Sequence, residues 1–522
     1  MKIALAQLNY TIGDFESNKM KIIRHVNRAR KERADLLVFA EQAISGTPAY
    51  DLLNKVTFLD LAEEALVEIA SYCDDLAVIV GLPIQHENQT ISAAALIRDR
   101  KIIRYVGKQN IASRDEAGYV FSSKGPEFVK IGNHKVAIVV GEDIDIKQEY
   151  GEYADTIVHI TAHPYSRGVV QARYDFYGHL AYTTGKNVVF LNQVGGHTDI
   201  IYDGSSAVFD ETGGAICLLK NFEEDFQIVT LDGTAKQLTL PYQNKTVNVY
   251  RAIKLGLKDY FEKNGFTKAC LGLSGGIDSA VVVVLAAQVL GPENVRVLMM
   301  PSQFSSDHSV DDAREQAEIL GIQYEVISIT DSYKAIMEAM GPVFGDLLFD
   351  VAEENIQARI RGLMVMAISN KFGNILLNSS NKSEVAVGYG TLYGDMNGAI
   401  SILGDLYKSE VYDLARYLNK DKILIPENII RKEPSAELRP EQKDSDSLPP
   451  YDILDAILYR MIEEGQSREE IINAGFDAEW VYRIYAMVVK NEHKRFQLCP
   501  ILRLATRTLG IGRVMPLTNK YM

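Results

Sequence analysis

Ser274-Gly275-Gly276-Ile277-Asp278-Ser279 packs two glycines, two hydroxyls and a carboxylate into six residues. Glycines let a backbone curl until consecutive N–H groups face one anion, and serines add hydroxyl donors. The run follows an apolar stretch, 269–273, and opens a helical one, 280–290. A strand-loop-helix junction of this kind turns a helix N-terminus toward a phosphate. The anion-facing set is Ser274, Gly275, Gly276, Ile277, Asp278 and Ser279, with Gly272 and Leu273 at the end of the strand as further nucleotide-site candidates. It is shorter than a Walker A loop and lacks the terminal lysine, and a glycine-rich turn without a ligand is the alternative. Asn378-Ser379-Ser380-Asn381-Lys382-Ser383-Glu384 also follows an apolar stretch, 374–377. In a doubly wound sheet both runs reach one carboxyl edge, so Asp278 and Glu384 can share Mg²⁺, which takes carboxylates together with phosphate oxygens.

The elements that must carry these loops fall into two α/β sets. Short apolar strands are predicted at 36–39, 77–80, 136–140, 156–160 and 188–191, with helical stretches between. A polar stretch from 232 to 244 separates them from strands at 269–273, 295–300, 324–329 and 374–377. Strands alternating with helices favour parallel sheets, and the domains expected are 1–240 and 241–522. Charge and proline in 433–450 predict a mobile loop. At 522 residues the chain holds two sizeable cores, and a net charge of −14 argues against nucleic acid or an anionic membrane as partner. The four scattered cysteines form no CxxC pair, so neither a zinc site nor a disulfide framework is indicated. No uncharged apolar run reaches the ~18 residues of a membrane span, and no leader-like stretch opens the chain, so the expected compartment is the cytoplasm.

The glycine loop resembles the pyrophosphate-binding loop of the ATP pyrophosphatase family. Glu354-Asn355-Ile356-Gln357-Ala358-Arg359-Ile360-Arg361-Gly362, Asn381-Lys382-Ser383-Glu384-Val385-Ala386-Val387-Gly388-Tyr389, Leu392-Tyr393-Gly394-Asp395, Pro434-Ser435-Ala436-Glu437-Leu438 and Lys443-Asp444-Ser445-Asp446-Ser447-Leu448-Pro449-Pro450-Tyr451 resemble NAD synthetase. With the N-terminal half included, the likeness is to the long, glutamine-dependent form and covers nearly the whole chain. It implies an N-terminal nitrilase-like αββα sandwich and a C-terminal doubly wound parallel sheet of the ATP pyrophosphatase type. It also implies ATP as co-substrate, Mg²⁺, and a reaction in which deamido-NAD is adenylated and ammonia displaces AMP. By this resemblance Lys408, Ser379 and Ser435 meet ATP, while Asn355, Arg359, Glu384, His493 and Lys494 hold deamido-NAD. Asp395 is the candidate for attracting ammonium and accepting its proton; an Asp that merely closes a Gly-Asp turn is the alternative. The family pairs as a homodimer or a higher homo-oligomer.

The N-terminal half resembles amidases of the nitrilase superfamily, in which a Glu is base, a Lys stabilises the oxyanion and a Cys attacks. Phe39-Ala40-Glu41 and Gly107-Lys108-Gln109 match the first two positions, and Val139-Val140-Gly141-Glu142-Asp143 matches the third with glycine at the nucleophile. Loss of the nucleophile from a comparable catalytic set costs on the order of 10⁶ in rate. Glu41, Lys108 and Gly141 therefore read as a vestigial amidase site, with Glu41 and Lys108 left as a buried ion pair. His163, Ala40 and Asp145 also depart from the family pattern, which favours natural decay over one designed change. His163 and His197 either face the vacated site or fill space as satisfied polar groups. The leading expectation is an NAD synthetase that requires free ammonia. The alternatives are glutamine use through a separate glutaminase, and a nucleotide sensor without turnover.

Overall fold

A computed structural model describes residues 1–145, 153–435, 437–440 and 442–520. The chain divides into two compact units, Met1–Lys245 and Thr246–Met522.

The first unit holds two six-stranded sheets. One runs, in spatial order, Asp225–Thr230, Lys2–Gln7, Leu36–Val38, Ala77–His86, Gln89–Arg98 and Lys101–Gly107. The other runs Ala215–Leu218, Ala207–Phe209, Asn187–Asn192, Thr156–Thr161, His134–Val140 and Glu127–Ile131. Successive side chains on a strand point to opposite faces, and here both faces are covered. Ile3 and Leu5 join Val136, Ile138 and Val140 in a core between the sheets. Ala4 and Ala6 pack outward with Ile22, Val26 and Leu66 of the helices Phe15–Lys31 and Val56–Ala70. Ala137 and Val139 pack outward with Tyr174 and Leu180 of the helix Val169–Thr184. The layers are helix, sheet, sheet, helix. Burial on both sides explains the unbroken apolar run 136–140, each fully buried Val or Ile being worth about 1.5–3 kcal/mol.

The second unit is built on five parallel strands, in spatial order Gln323–Val326, Val295–Met299, Ala269–Gly272, Ile375–Asn378 and Ile400–Ser401. The chain starts at the centre, winds to one side, then reverses past its first strand. Ala269–Gly272 and Ile375–Asn378 are the neighbours at that reversal, where ligands bind beyond the strands' carboxyl ends. The strand predicted at 324–329 ends earlier, at Val326, because the chain turns into the helix Thr330–Phe344. Helices near the C-terminus form their own core around Leu454, Leu458, Ile484 and Val488. Among the described residues no helix is long and apolar enough to cross a membrane.

Candidate functional site

At the reversal of the second unit's sheet, Gly276 caps the helix Ile277–Leu290 and Gly275 takes φ +74°. A Cβ on Gly275 would run into the Ser309 carbonyl, so glycine is required there both for its conformation and for the close approach. Ser274 and Ser279 tie the loop together, with their hydroxyls 3.1 Å apart and Gly276 N donating to Ser274 Oγ at 3.2 Å. Asn381 caps the helix Lys382–Val387 by accepting from Glu384 N at 3.0 Å, and its amide donates to Asp278 Oδ1 at 2.9 Å. The two predicted runs therefore meet.

Between them lies Lys408, the first residue of the helix Lys408–Leu418, whose Nζ donates to Asp278 Oδ2 at 2.5 Å and Glu384 Oε1 at 3.0 Å. Its side chain is 3% exposed. Burial by itself would depress this ammonium, yet Asp278 and Glu384 hold it above its ordinary range. The Glu384 carboxyl is pushed up by the protein packed around it, with Lys408 opposing and Asp278 adding. A fifth of the Glu384 side chain still faces the cavity, so water there softens that shift. Asp278 and Glu384 are hard oxygen donors suited to Mg²⁺ with phosphate oxygens. Among the described residues no third Asp, Glu, His or Cys joins them in a preformed metal cluster.

The surrounding cavity, about 340 Å³, is lined by the loop residues 272–279 together with Ser379, Glu384, Asp395, Lys408 and Ser435. Arg361, Glu437 and Asp444 line it too, and the sequence reading assigned none of them a role. Ala358, Arg361, Gly362 and Val365 lie on the cavity face of the helix Val351–Phe372, one turn apart. Asn355 and Arg359 sit on another face of the same helix. They meet the chain around 391–392, where Thr391 Oγ1 donates to Asn355 at 2.6 Å and Arg359 Nε donates to the Leu392 carbonyl at 3.3 Å. Lys494 donates to the carbonyls of Gly388 and Gly390, both at 2.7 Å. These three hold the 388–395 loop and are not among the residues that line this cavity. His493 also lies off the cavity, its ring against the Lys490 carbonyl at 3.2 Å. Asp395 accepts from Thr391 N at 2.6 Å. Surrounding protein raises its carboxyl, and Lys494 and Arg361 counteract; its side chain faces the open cavity, where water weakens the rise.

The loop expected to be mobile is tied down in its described part. Glu437 accepts from Ser306 N at 3.2 Å and from Ser309 Oγ at 2.7 Å, and Gln357 donates to the Leu438 carbonyl at 2.8 Å. Proline and charge marked a segment without a core of its own, but polar anchors make it a wall of the cavity. Ala436 and Glu441 lie outside the described residues.

In the first unit three strand ends converge: Glu41 beyond Leu36–Val38, Lys108 beyond Lys101–Gly107 and Gly141 beyond His134–Val140. The expected ion pair is a larger cluster. Lys108 Nζ reaches Glu41 at 3.1 Å and Glu116 at 2.5 Å, and it also contacts Glu142. Burial by itself would lower the Lys108 ammonium, but the three carboxylates hold it above its usual range. Burial raises the Glu116 carboxyl, Glu41 adds to that, and Lys108 opposes it. Glu41 is fully engaged, accepting also from Ser92 Oγ at 2.8 Å and Ala162 N at 3.2 Å. Gly141 has φ +56°, and a Cβ there would run into Cε and Nζ of Lys108. The lysine thus lies over the position where a side chain would begin. The adjoining cavity of about 640 Å³ is lined by His163 and His159, whereas His197 is packed edge-on to Tyr202 away from it.

His159 fixes the Gly141 backbone. Its Nε2 lies 2.7 Å from the Gly141 carbonyl and its Nδ1 2.9 Å from the Tyr177 hydroxyl, and burial pushes its pKa down to about 4. The neutral ring donates to Gly141 and accepts from Tyr177. An unfolded histidine titrates near 6.5, so below that pH the unfolded chain binds a proton that the folded one refuses until about pH 4. Stability is present above 6.5 and is lost as pH falls toward 4. Urea unfolding of the full chain at pH 7 and 4.5 should show a drop smaller by about 2 kcal/mol in His159→Gln than in the unsubstituted protein; equal drops would refute a buried neutral ring.

Comparison with known proteins brings both sites into one frame. The NAD synthase family profile matches residues 249–498, and the carbon-nitrogen hydrolase profile matches residues 2–131. A glutamine-dependent NAD(+) synthetase of Synechocystis sp. is 39% identical, with 99% of each chain covered. One from Thermotoga maritima is 38% identical over 100% of this chain and 99% of its own. The structure of glutamine-dependent NAD⁺ synthetase from Acinetobacter baumannii in complex with adenosine diphosphate superposes with a TM-score of 0.79 at 36% identity, covering 99% of this chain and 98% of that one. These full-length relatives are glutamine-dependent, which overturns the expectation that free ammonia is the nitrogen source. Glycine at position 141 bears on one chemical step in the first unit, whereas the likeness extends over the whole chain.

Proposed function

The chain belongs to the NAD synthetase family, and within it we propose glutamine-dependent amidation of deamido-NAD, with the amide nitrogen released from glutamine by a separate glutaminase. The reading is carried by Lys408, buried between Asp278 and Glu384 beside a phosphate-shaped loop at the sheet's reversal. A carboxylate is a poor acylating agent until its oxygen becomes a good leaving group. Attack of the nicotinate carboxylate on the α-phosphate of ATP forms the acyl adenylate and expels pyrophosphate. Loop N–H groups and the Ser274 and Ser279 hydroxyls cradle the departing charge, Lys408 follows it, and Ser379 and Ser435 line its path. Asp278 and Glu384 would hold Mg²⁺, which neutralises phosphate oxygens. Nitrogen then attacks the acyl carbon, Asp395 takes its proton, and AMP leaves. Asn355, Arg359 and Lys494 act on deamido-NAD through the 388–395 loop they hold. In the first unit Glu41 is occupied and position 141 carries no thiol, which supports placing amide hydrolysis on another protein.

The test is NAD formation from deamido-NAD and MgATP with glutamine, with and without an added glutaminase. NAD, AMP and pyrophosphate should appear in equal amounts, faster with the glutaminase present. Glutamine alone working equally well would refute the separate glutaminase. Failure with every nitrogen source would refute the synthetase reading.

A further inference from the structure

One carboxylate of the synthetase cavity is left incomplete by the contacts around it. Asp444 is 5% exposed and shares the cavity with Asp278, Glu384 and Lys408. Its Oδ2 accepts from the Tyr451 hydroxyl at 2.8 Å and the Tyr389 hydroxyl bears on the same carboxylate, whereas the buried Oδ1 completes no hydrogen bond of its own. A buried acceptor without a donor is costly, and in a cavity it marks where a donating ligand belongs. The local field favours a cation. Asp444, Asp278 and Glu384 bear on one another, and the Lys408 ammonium that opposes them is already bonded to Asp278 and Glu384.

We propose that Asp444 docks the ammonium form of the nitrogen nucleophile. The inference rests on the reading of this cavity as the site where deamido-NAD is amidated. A divalent metal suits Asp444 less well, because among the described residues it joins no group of three metal-ligating side chains. Ammonium needs strong acceptors, and the hydroxyls of Tyr451 and Tyr389 stand beside Asp444 with lone pairs to add to its carboxylate. Asp395 is the poorer dock: it already accepts from Thr391 N, and Arg361 and Lys494 compensate its charge. The two acids divide the work. Ammonium rests on Asp444 and gives up one proton to that carboxylate, and the freed lone pair attacks the acyl carbon to form the C–N bond. The adduct sheds a second proton to Asp395, the C–O bond to AMP breaks, and AMP departs with the bonding electrons.

Asp444→Asn removes the charge while its amide oxygen can still accept from Tyr451. With deamido-NAD and MgATP saturating and ammonium chloride varied, the KM for ammonium should rise about tenfold to a hundredfold. Exchange of labelled pyrophosphate into ATP, dependent on deamido-NAD but needing no nitrogen, should change far less than that KM. Asp444→Glu should recover part of the ammonium affinity, and it carries the test by itself, as a severalfold rise in KM, if Asp444→Asn does not fold. An unchanged ammonium KM overturns the proposal. An equal loss in pyrophosphate exchange also overturns it, placing Asp444 on the phosphate side. No exchange in the unsubstituted protein would instead count against the synthetase reading itself.

Discussion

Replacing Lys408 with methionine should slow deamido-NAD-dependent pyrophosphate exchange about a thousandfold, an effect on the order of 4 kcal/mol. Methionine keeps an apolar stem against Tyr451, over whose ring the ammonium lies at 5.2 Å, and removes the charge alone. In the free protein that charge is shared by Asp278 and Glu384. In the reaction it is free to follow the oxygens of pyrophosphate as their charge grows. The substitution therefore strips stabilisation from the transition state and leaves two carboxylates facing each other. Breaking a fully buried pair costs about 3–5 kcal/mol; here about a fifth of each acid side chain is exposed, so the loss of stability should be smaller. Its pH dependence has a definite sign. Without the lysine, the Glu384 carboxyl titrates still higher in the folded chain than in the unfolded one. Stability of the variant should be present at low pH and fall as pH rises through that folded value. Thermal melting between pH 5 and 8, an assay range set at about those limits by carboxyl and histidine titration, would show the variant losing ground to the unsubstituted protein as pH increases. An exchange rate within tenfold of the original would refute the role given to Lys408.

What could be read in the sequence was whatever local chemistry determines. Gly275 and Gly276 announced a loop because few other residues fit a curled backbone at a strand-helix junction, and Asp278 and Glu384 came with strand-end runs. Their meeting at Lys408 needed the order of the sheet, in which the strand at 269–272 lies beside the one at 375–378 although some hundred residues separate them. Arg361 is two residues from Arg359, and helical phase alone sends one into the cavity and the other to the 388–395 loop. Glu116 was hidden differently. It sits in an irregular segment with no periodic pattern, so nothing in the sequence tied it to Lys108 eight residues earlier. Asp444 was missed because charge and proline made its segment look solvated, while its burial depends on Tyr451 and the cavity wall. The nitrogen source was not legible for another reason: one absent side chain speaks to one chemical step, not to what supplies the next.

Gly141→Cys should give the chain glutamine hydrolysis of its own, at least a hundredfold above that of the unsubstituted protein and on the order of 10⁶ at most. The strain at this position is affordable. Its φ of +56° disfavours a side chain, at a cost of about 1–3 kcal/mol. The obstructing atoms are the far end of Lys108, which can swing aside. The same swing separates Lys108 from Glu116 and Glu142 and brings its ammonium beside the new sulfur, where a cation favours the thiolate. As the lysine leaves, Glu41 Oε1 keeps only Ser92 Oγ as donor and regains a lone pair with which to act as a base. His159, bonded to the carbonyl of residue 141, keeps the backbone in place through the change. Iodoacetamide labelling at position 141, followed by mass spectrometry, tests whether the thiol is reactive, and ammonia release from glutamine tests whether it is competent. A labelled variant without hydrolysis would mean that the cavity, lined by His163 and His159, does not position glutamine for attack. Hydrolysis already present in the unsubstituted protein would remove the need for a separate glutaminase and assign the chemistry to Glu41 and water.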